Sequence, residues 1–168
     1  PEKEEPPRHD MLCIYDSRSG NTRAAAEEIA AALDVELAEI TDAQDRSGLK
    51  GYFRSGLDAM RRTVQPIDPL QTERPLTDYR LVILASPVWA GRCASSVRAL
   101  LKERGGELPR VGYVLTRAGS RKYEEIYGQM DRYLPAEHQL AVSLRPGSEG
   151  YDFWLGDFVQ NVQRLLAE

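Results

Sequence analysis

The stretch Met11-Leu12-Cys13-Ile14-Tyr15-Asp16-Ser17-Arg18-Ser19-Gly20-Asn21-Thr22 is followed at once by "RAAAEEIAAAL". An apolar run passes through a polar loop into an alanine-rich segment. Met11 to Tyr15 has the continuous apolar character of a strand buried on both faces. From Thr22 to Leu33, apolar residues recur at Ala25, Ile29, Ala32 and Leu33, and the alanines favour helix. A buried strand feeding directly into a helix is the opening unit of a parallel α/β sheet.

The same alternation continues along the chain. "VELAEI" (Val35 to Ile40) alternates apolar and acidic residues and reads as a half-exposed edge strand. "YRLVILASPVW" (Tyr79 to Trp89) is the most buried-looking strand. A helix follows from about Ser95 to Arg104, ended by Gly105-Gly106. "RVGYVLT" (Arg110 to Thr116) and "HQLAVSL" (His138 to Leu144) are strands, and "SRKYEEIYGQMDRYL" between them is helical in pattern. A closing amphipathic helix places Phe153, Leu155, Phe158, Val162, Leu165 and Leu166 on its apolar side. Between Thr41 and Thr77 the alternation breaks, with a helix expected around Leu57 to Arg62 and a Pro-rich connection after it.

Five strands joined by right-handed crossovers give a doubly wound three-layer α/β sandwich with a five-stranded parallel sheet in the order 2-1-3-4-5. Ligands of such sheets bind beyond the carboxyl ends of the strands, at the switch point between strands one and three. The expected organisation is a flexible leader over residues 1–10, charged and Pro-rich, and a single domain over residues 11–168.

Composition narrows the function classes. Of 168 residues, 42% are hydrophobic, and the net charge is −4, which gives no electrostatic footprint for nucleic acid. No apolar run approaches a membrane span. Cys13 and Cys93 are the only cysteines, and neither has a histidine or second cysteine nearby, so no Cys-based zinc site or disulfide framework is expected. Two reduced thiols place the chain in the cytoplasm.

The topology singles out the loops after Tyr15, Ala85 and Thr116. In the first, Ser17, Ser19, Asn21 and Thr22 offer side-chain donors, Gly20 lets the backbone turn close to a ligand, and the helix N-terminus favours an anion. One helix cap needs one such residue, so the surplus points to a bound phosphate. No lysine is present for a Walker loop, and no G-x-G-x-x-G for a dinucleotide. The acidic pair of a response regulator is also missing. Cys13 falls inside the strand, one residue too close to Arg18 for a low-molecular-weight phosphatase. A held, uncleaved phosphomonoester remains.

In the second loop, "SPVWAGRCASS", Pro87 fixes the chain as it leaves the strand, and Trp89 beside Ala90-Gly91 lets a planar heterocycle lie against backbone amides. The third, "TRAGSRKY", has small residues at Ala118, Gly119 and Ser120.

Together, "S-x-S-G-N-T", "P-V-W-A-G-R" and "T-x-A-G-S" resemble the flavin mononucleotide (FMN) loops of the flavodoxin family, over nearly the whole chain after the leader. The resemblance implies a flavodoxin-like fold with FMN as cofactor. Ser17, Arg18, Ser19, Gly20, Asn21 and Thr22 would surround its phosphate. Pro87, Val88, Trp89, Ala90 and Gly91 would face the isoalloxazine, and Thr116, Arg117, Ala118 and Gly119 would line its other edge. Such a protein carries electrons singly or acts as an NAD(P)H-dependent reductase. Its partner would be a redox protein or a small acceptor such as a quinone. A non-redox module holding another phosphate-bearing ligand is the alternative.

The family's second stacking aromatic is not evident in the third loop before Tyr123, and Tyr52 or Phe53 from the insert is a candidate for that face. Arg92 and Arg117 either turn toward the ring, where a cation raises the flavin potential by an interaction on the order of 4 kcal/mol, or snorkel into solvent. Cys93, His9 and His138 read as structural.

Overall fold

A computed structural model of the chain describes residue 6, residues 8–16, residues 18–41 and residues 67–168. Strands β1 (Met11–Asp16), β2 (Glu36–Ile40), β3 (Leu81–Trp89), β4 (Arg92–Cys93), β5 (Val111–Thr116) and β6 (Leu140–Leu144) alternate with helices. These are α1 (Gly20–Leu33), α2 (Ser95–Arg104), α3 (Glu125–Asp131) and α4 (Tyr151–Ala167). The parallel sheet runs β2-β1-β3-β5-β6, which is the expected order; β4 stands off it, paired antiparallel to β3.

Period-two alternation on strands buried on both faces explains the three layers. Leu12, Ile14, Val82, Leu84, Tyr113 and Leu115 turn to one face and pack with Val97, Leu100 and Leu101 of α2 and Ile126 and Met130 of α3. Their strand neighbours Met11, Cys13, Leu81, Ile83 and Val114 turn to the other, against Ala25, Ala26 and Ile29 of α1 and Leu155, Phe158 and Val162 of α4. Each such side chain taken fully from water contributes roughly 1.5–3 kcal/mol, so the two faces carry most of the fold's stability.

Several expectations change. β4 adds a sixth strand: β3 runs straight through Trp89, turns at Ala90-Gly91 and returns, pairing Val88 with Cys93 and Trp89 with Arg92. Ala90 and Gly91 have φ of 50° and 75°, the sign that a two-residue type I′ hairpin demands at both positions. The helix expected across "SRKYEEIYGQMDRYL" shrinks to Glu125–Asp131, because Tyr123 takes a positive φ of 58° that interrupts any helix begun before it. Phe153 is 66% exposed rather than on the apolar side of α4, and it meets exposed Trp154 edge to face.

Glu36, expected to face water, is buried on β2. It accepts the Tyr79 hydroxyl and, at 2.9 Å, the backbone N–H of Glu73. The expected helix around Leu57 to Arg62, and Tyr52 and Phe53, lie outside the described residues. At the start of the chain, the Arg8 and His9 amides donate to Glu73 Oε1 at 2.7 and 3.0 Å.

Candidate functional site

The carboxyl ends of β1, β3 and β5 bring the three loops to one edge of the sheet, and parity decides how they are tied. Asp16 continues the face of Leu12 and Ile14, toward α2, and is buried there. Its Oδ1 accepts the Arg18 N–H at 2.8 Å, and its Oδ2 accepts the Ser96 hydroxyl. Ser86, on the same side of β3, accepts the Ala94 N–H at 2.9 Å through its hydroxyl. Thr116 continues the face of Val114, toward α1, and its hydroxyl lies 2.7 Å from that of Thr22. Every buried hydroxyl and carboxylate named here has a partner, so the loops are held by a connected polar frame.

In the first loop, Ser19 is the N-cap of α1: its hydroxyl accepts the Thr22 N–H at 3.3 Å. The amides of Gly20 and Asn21, next at the helix mouth, point along the axis toward the loop. Gly20 begins the helix instead of making a turn, and the space its missing β-carbon leaves is open for 4 Å around. Asn21 is exposed, Thr22 is fully buried, and Ser17 lies outside the described residues.

In the second loop, Pro87 is buried, Val88 and Trp89 are half-buried against the core, and Ala90 is exposed at the hairpin tip. The ring of Tyr123 approaches within 3.8 Å of where a β-carbon on Gly91 would sit. Arg121 covers that ring, its guanidinium carbon 4.9 Å from the ring centre. An aromatic therefore stands beside the hairpin, supplied by the end of the third loop. Tyr123 ends the "TRAGSRKY" loop and also lies in "SRKYEEIYGQMDRYL", which is helical in pattern, so no local signal marks it as the aromatic beside the hairpin.

In the third loop, Thr116 is buried, and Ala118 and Gly119 are exposed with open space about Gly119. Arg117 donates from Nε to Ser143 Oγ at 2.9 Å and from Nη1 to the Gly119 carbonyl at 2.7 Å. Arg145 Nε holds the Ala118 carbonyl at 3.2 Å. Both arginines brace the loop. Arg92 goes elsewhere, with its Nε buried in a pocket between α2 and α3. Burial pushes the Cys93 thiol up, against the nearby Arg98 charge, so Cys93 stays a thiol at neutral pH.

The missed residues are Asp16, Ser86, Ser96 and Tyr123. A signal existed for Asp16: an ionisable residue at the end of an otherwise apolar buried strand needs partners.

No family model matches the chain, and no curated protein matches its sequence. Solved structures do. The flavoprotein of Lactobacillus acidophilus NCFM in complex with FMN is 24% identical, covering 88% of this chain and 99% of that one, with a TM-score of 0.65. Oxidised flavodoxin 1 from Bacillus cereus is 16% identical over 91% of this chain and 97% of its own, with a TM-score of 0.55. The Fusobacterium nucleatum flavodoxin bound to flavin mononucleotide is 10% identical over 92% and 97%, with a TM-score of 0.55. The chain has the flavodoxin-like fold. Among the described residues, no helix is long and apolar enough to cross a membrane.

Proposed function

We propose that this protein binds FMN across the three loops and works in electron transfer. The observation that carries the reading is the joining of a phosphate-type helix mouth to an aromatic hairpin. Thr22 meets Thr116, Asp16 meets Ser96, and the Trp89–Gly91 turn lies against Tyr123. A plain phosphate binder has no use for the hairpin.

The residues present fit the group. Gly20 and Asn21 supply amides at a positive helix end for a dianion, and the open space about Gly20 and Gly119 admits it. Trp89 is half-buried in the hairpin, Tyr123 stands against Gly91, and Ala90 is exposed at the tip, which together offer an aromatic, small-residue edge for a planar ring. When bound, FMN supplies one- and two-electron redox chemistry, and the protein's part is to hold and tune it.

With Arg117 engaged by Ser143 and Gly119, and Arg92 turned into the pocket between α2 and α3, neither placement supports a cation at the ring. That favours a carrier serving a redox protein over an NAD(P)H-dependent quinone reductase. Titrating purified protein with FMN while recording the visible spectrum tests the cofactor. Stoichiometric binding with a perturbed flavin spectrum is expected, and failure to bind overturns the reading. Reductive titration then separates the roles. A stabilised semiquinone marks the carrier, and NAD(P)H oxidation with a quinone marks the reductase.

A further inference from the structure

The flavin reading leaves Arg92 and Arg98 without a role, although Arg98 is buried and half-buried Arg92 has its Nε shut away from water. Both line a pocket of about 50 Å³ between α2 and α3, together with Cys93, Met130, Arg132 and Tyr133. Among the described residues, every formal charge lining it is positive, in a chain whose net charge is −4. Arg98 is only 5% exposed, and its Nη2 donates to the Cys93 carbonyl at 3.4 Å. The Nε of Arg92 is fully buried with no acceptor. Among the described residues, no carboxylate pairs with Arg92 or Arg132.

We propose that this pocket is a second anion site, built to take one phosphate-class oxyanion and separate from the loop at α1. A buried guanidinium N–H that lacks an acceptor costs the full desolvation of that group, and an oxyanion supplies the acceptor. Planar guanidinium forks match the oxygens of a phosphoryl group. Arg92 and Arg132 together are balanced better by a dianion than by a single carboxylate.

The volume exceeds what one water needs but is too small for a ring. The pocket therefore takes a head group, and the rest of any larger ligand passes out between exposed Arg132 and Tyr133. Arg92 is also the cross-strand partner of Trp89. An anion held by Arg92 thus fixes β4 and the base of the aromatic hairpin.

Backbone NMR of the full chain with excess FMN present tests this, because amide shifts are read residue by residue. Inorganic phosphate and adenosine 2′,5′-bisphosphate are the probes, with acetate and chloride at matched ionic strength as controls. Saturable shifts are expected at Arg92, Cys93, Arg98 and Met130, while Gly20 and Asn21 stay still. Arg92→Gln should weaken binding about tenfold and the exposed Arg132→Gln several-fold. Tighter binding of the nucleotide identifies a phosphomonoester as the ligand, and equal binding identifies the free oxyanion; either supports the site. No saturable shift at these four amides, equal shifts with acetate and chloride, or full affinity in both variants overturns it. Should FMN fail to bind, the same four amides still report this pocket, because phosphate at the α1 mouth moves Gly20 and Asn21 instead.

Discussion

The Thr22 hydroxyl lies 2.7 Å from the Thr116 hydroxyl, both buried between α1 and the end of β5. One bond thereby fastens the helix mouth after β1 to the loop after β5, two segments that β3 separates in the sheet. The bond ties the first turn of α1 directly to the last residue of β5 and so adds to the positioning of the site across three strands.

Thr22→Val keeps the shape of the side chain and strands the Thr116 hydroxyl. It is expected to cost about 1–2 kcal/mol in urea unfolding. FMN affinity, read by flavin fluorescence quenching, should fall about tenfold as the two loops drift apart. Thr22→Val with Thr116→Val removes both polar partners and should recover much of the stability. A double variant no more stable than the single would show that the hydroxyl pair is not what holds these loops.

The Asp16 carboxylate is buried and accepts from Arg18 and Ser96 at once, so its loss leaves two donors stranded. Asp16→Ala is expected to cost roughly 2–4 kcal/mol, and Ser96→Ala, which removes one donor and leaves the Arg18 bond in place, nearer 1. Urea unfolding of the pair checks the ranking, and equal costs would contradict it.

The parallel sheet was legible from the first strand and helix because burial on both faces leaves unbroken apolar runs, and Ser95 to Arg104 was legible because glycines end it. Glycine at 105 is also required sterically, since a β-carbon there would stand 2.5 Å from the Tyr133 carbonyl oxygen. β4 was not legible, since two residues are too short to show any period. Glu36 looked exposed because its partners, Tyr79 and the Glu73 amide, lie about forty residues away in sequence. Within the site, the helix mouth could be read from its surplus of donors. The approach of Tyr123 to Gly91 could not, because it depends on a positive φ at a tyrosine, which no local pattern announces.

Strain at the hairpin tip gives opposite signs at adjacent residues. Ala90 has φ 50° and carries a β-carbon that disfavours that region, so Ala90→Gly should be neutral or stabilise by up to about 1 kcal/mol. Gly91→Val at φ 75° should cost roughly 1–3 kcal/mol and crowd Tyr123. Thermal unfolding of the two variants should bracket the parent, and FMN affinity should drop only in Gly91→Val.

Alkaline pH should unfold the protein partly through Cys13. Burial pushes this thiol, in the middle of β1, up to about 12, whereas an unfolded cysteine ionises near 8.5. Its folded value is raised, so its stabilising contribution is complete below the unfolded value and is lost as pH climbs through the folded one. Across that window the unfolded chain binds one proton fewer than the native one, and stability falls by about 1.4 kcal/mol per pH unit. Burial also raises Tyr79 and Tyr113, which adds a decline above about 10. Cys13→Ala lowers stability at every pH by opening a small cavity, so slopes and not absolute values are compared. Between pH 8.5 and 10, stability in urea unfolding should fall more steeply for the parent than for Cys13→Ala, whose remaining slope comes from Cys93, a thiol that burial also raises. Parallel profiles would mean that Cys13 does not couple folding to protons.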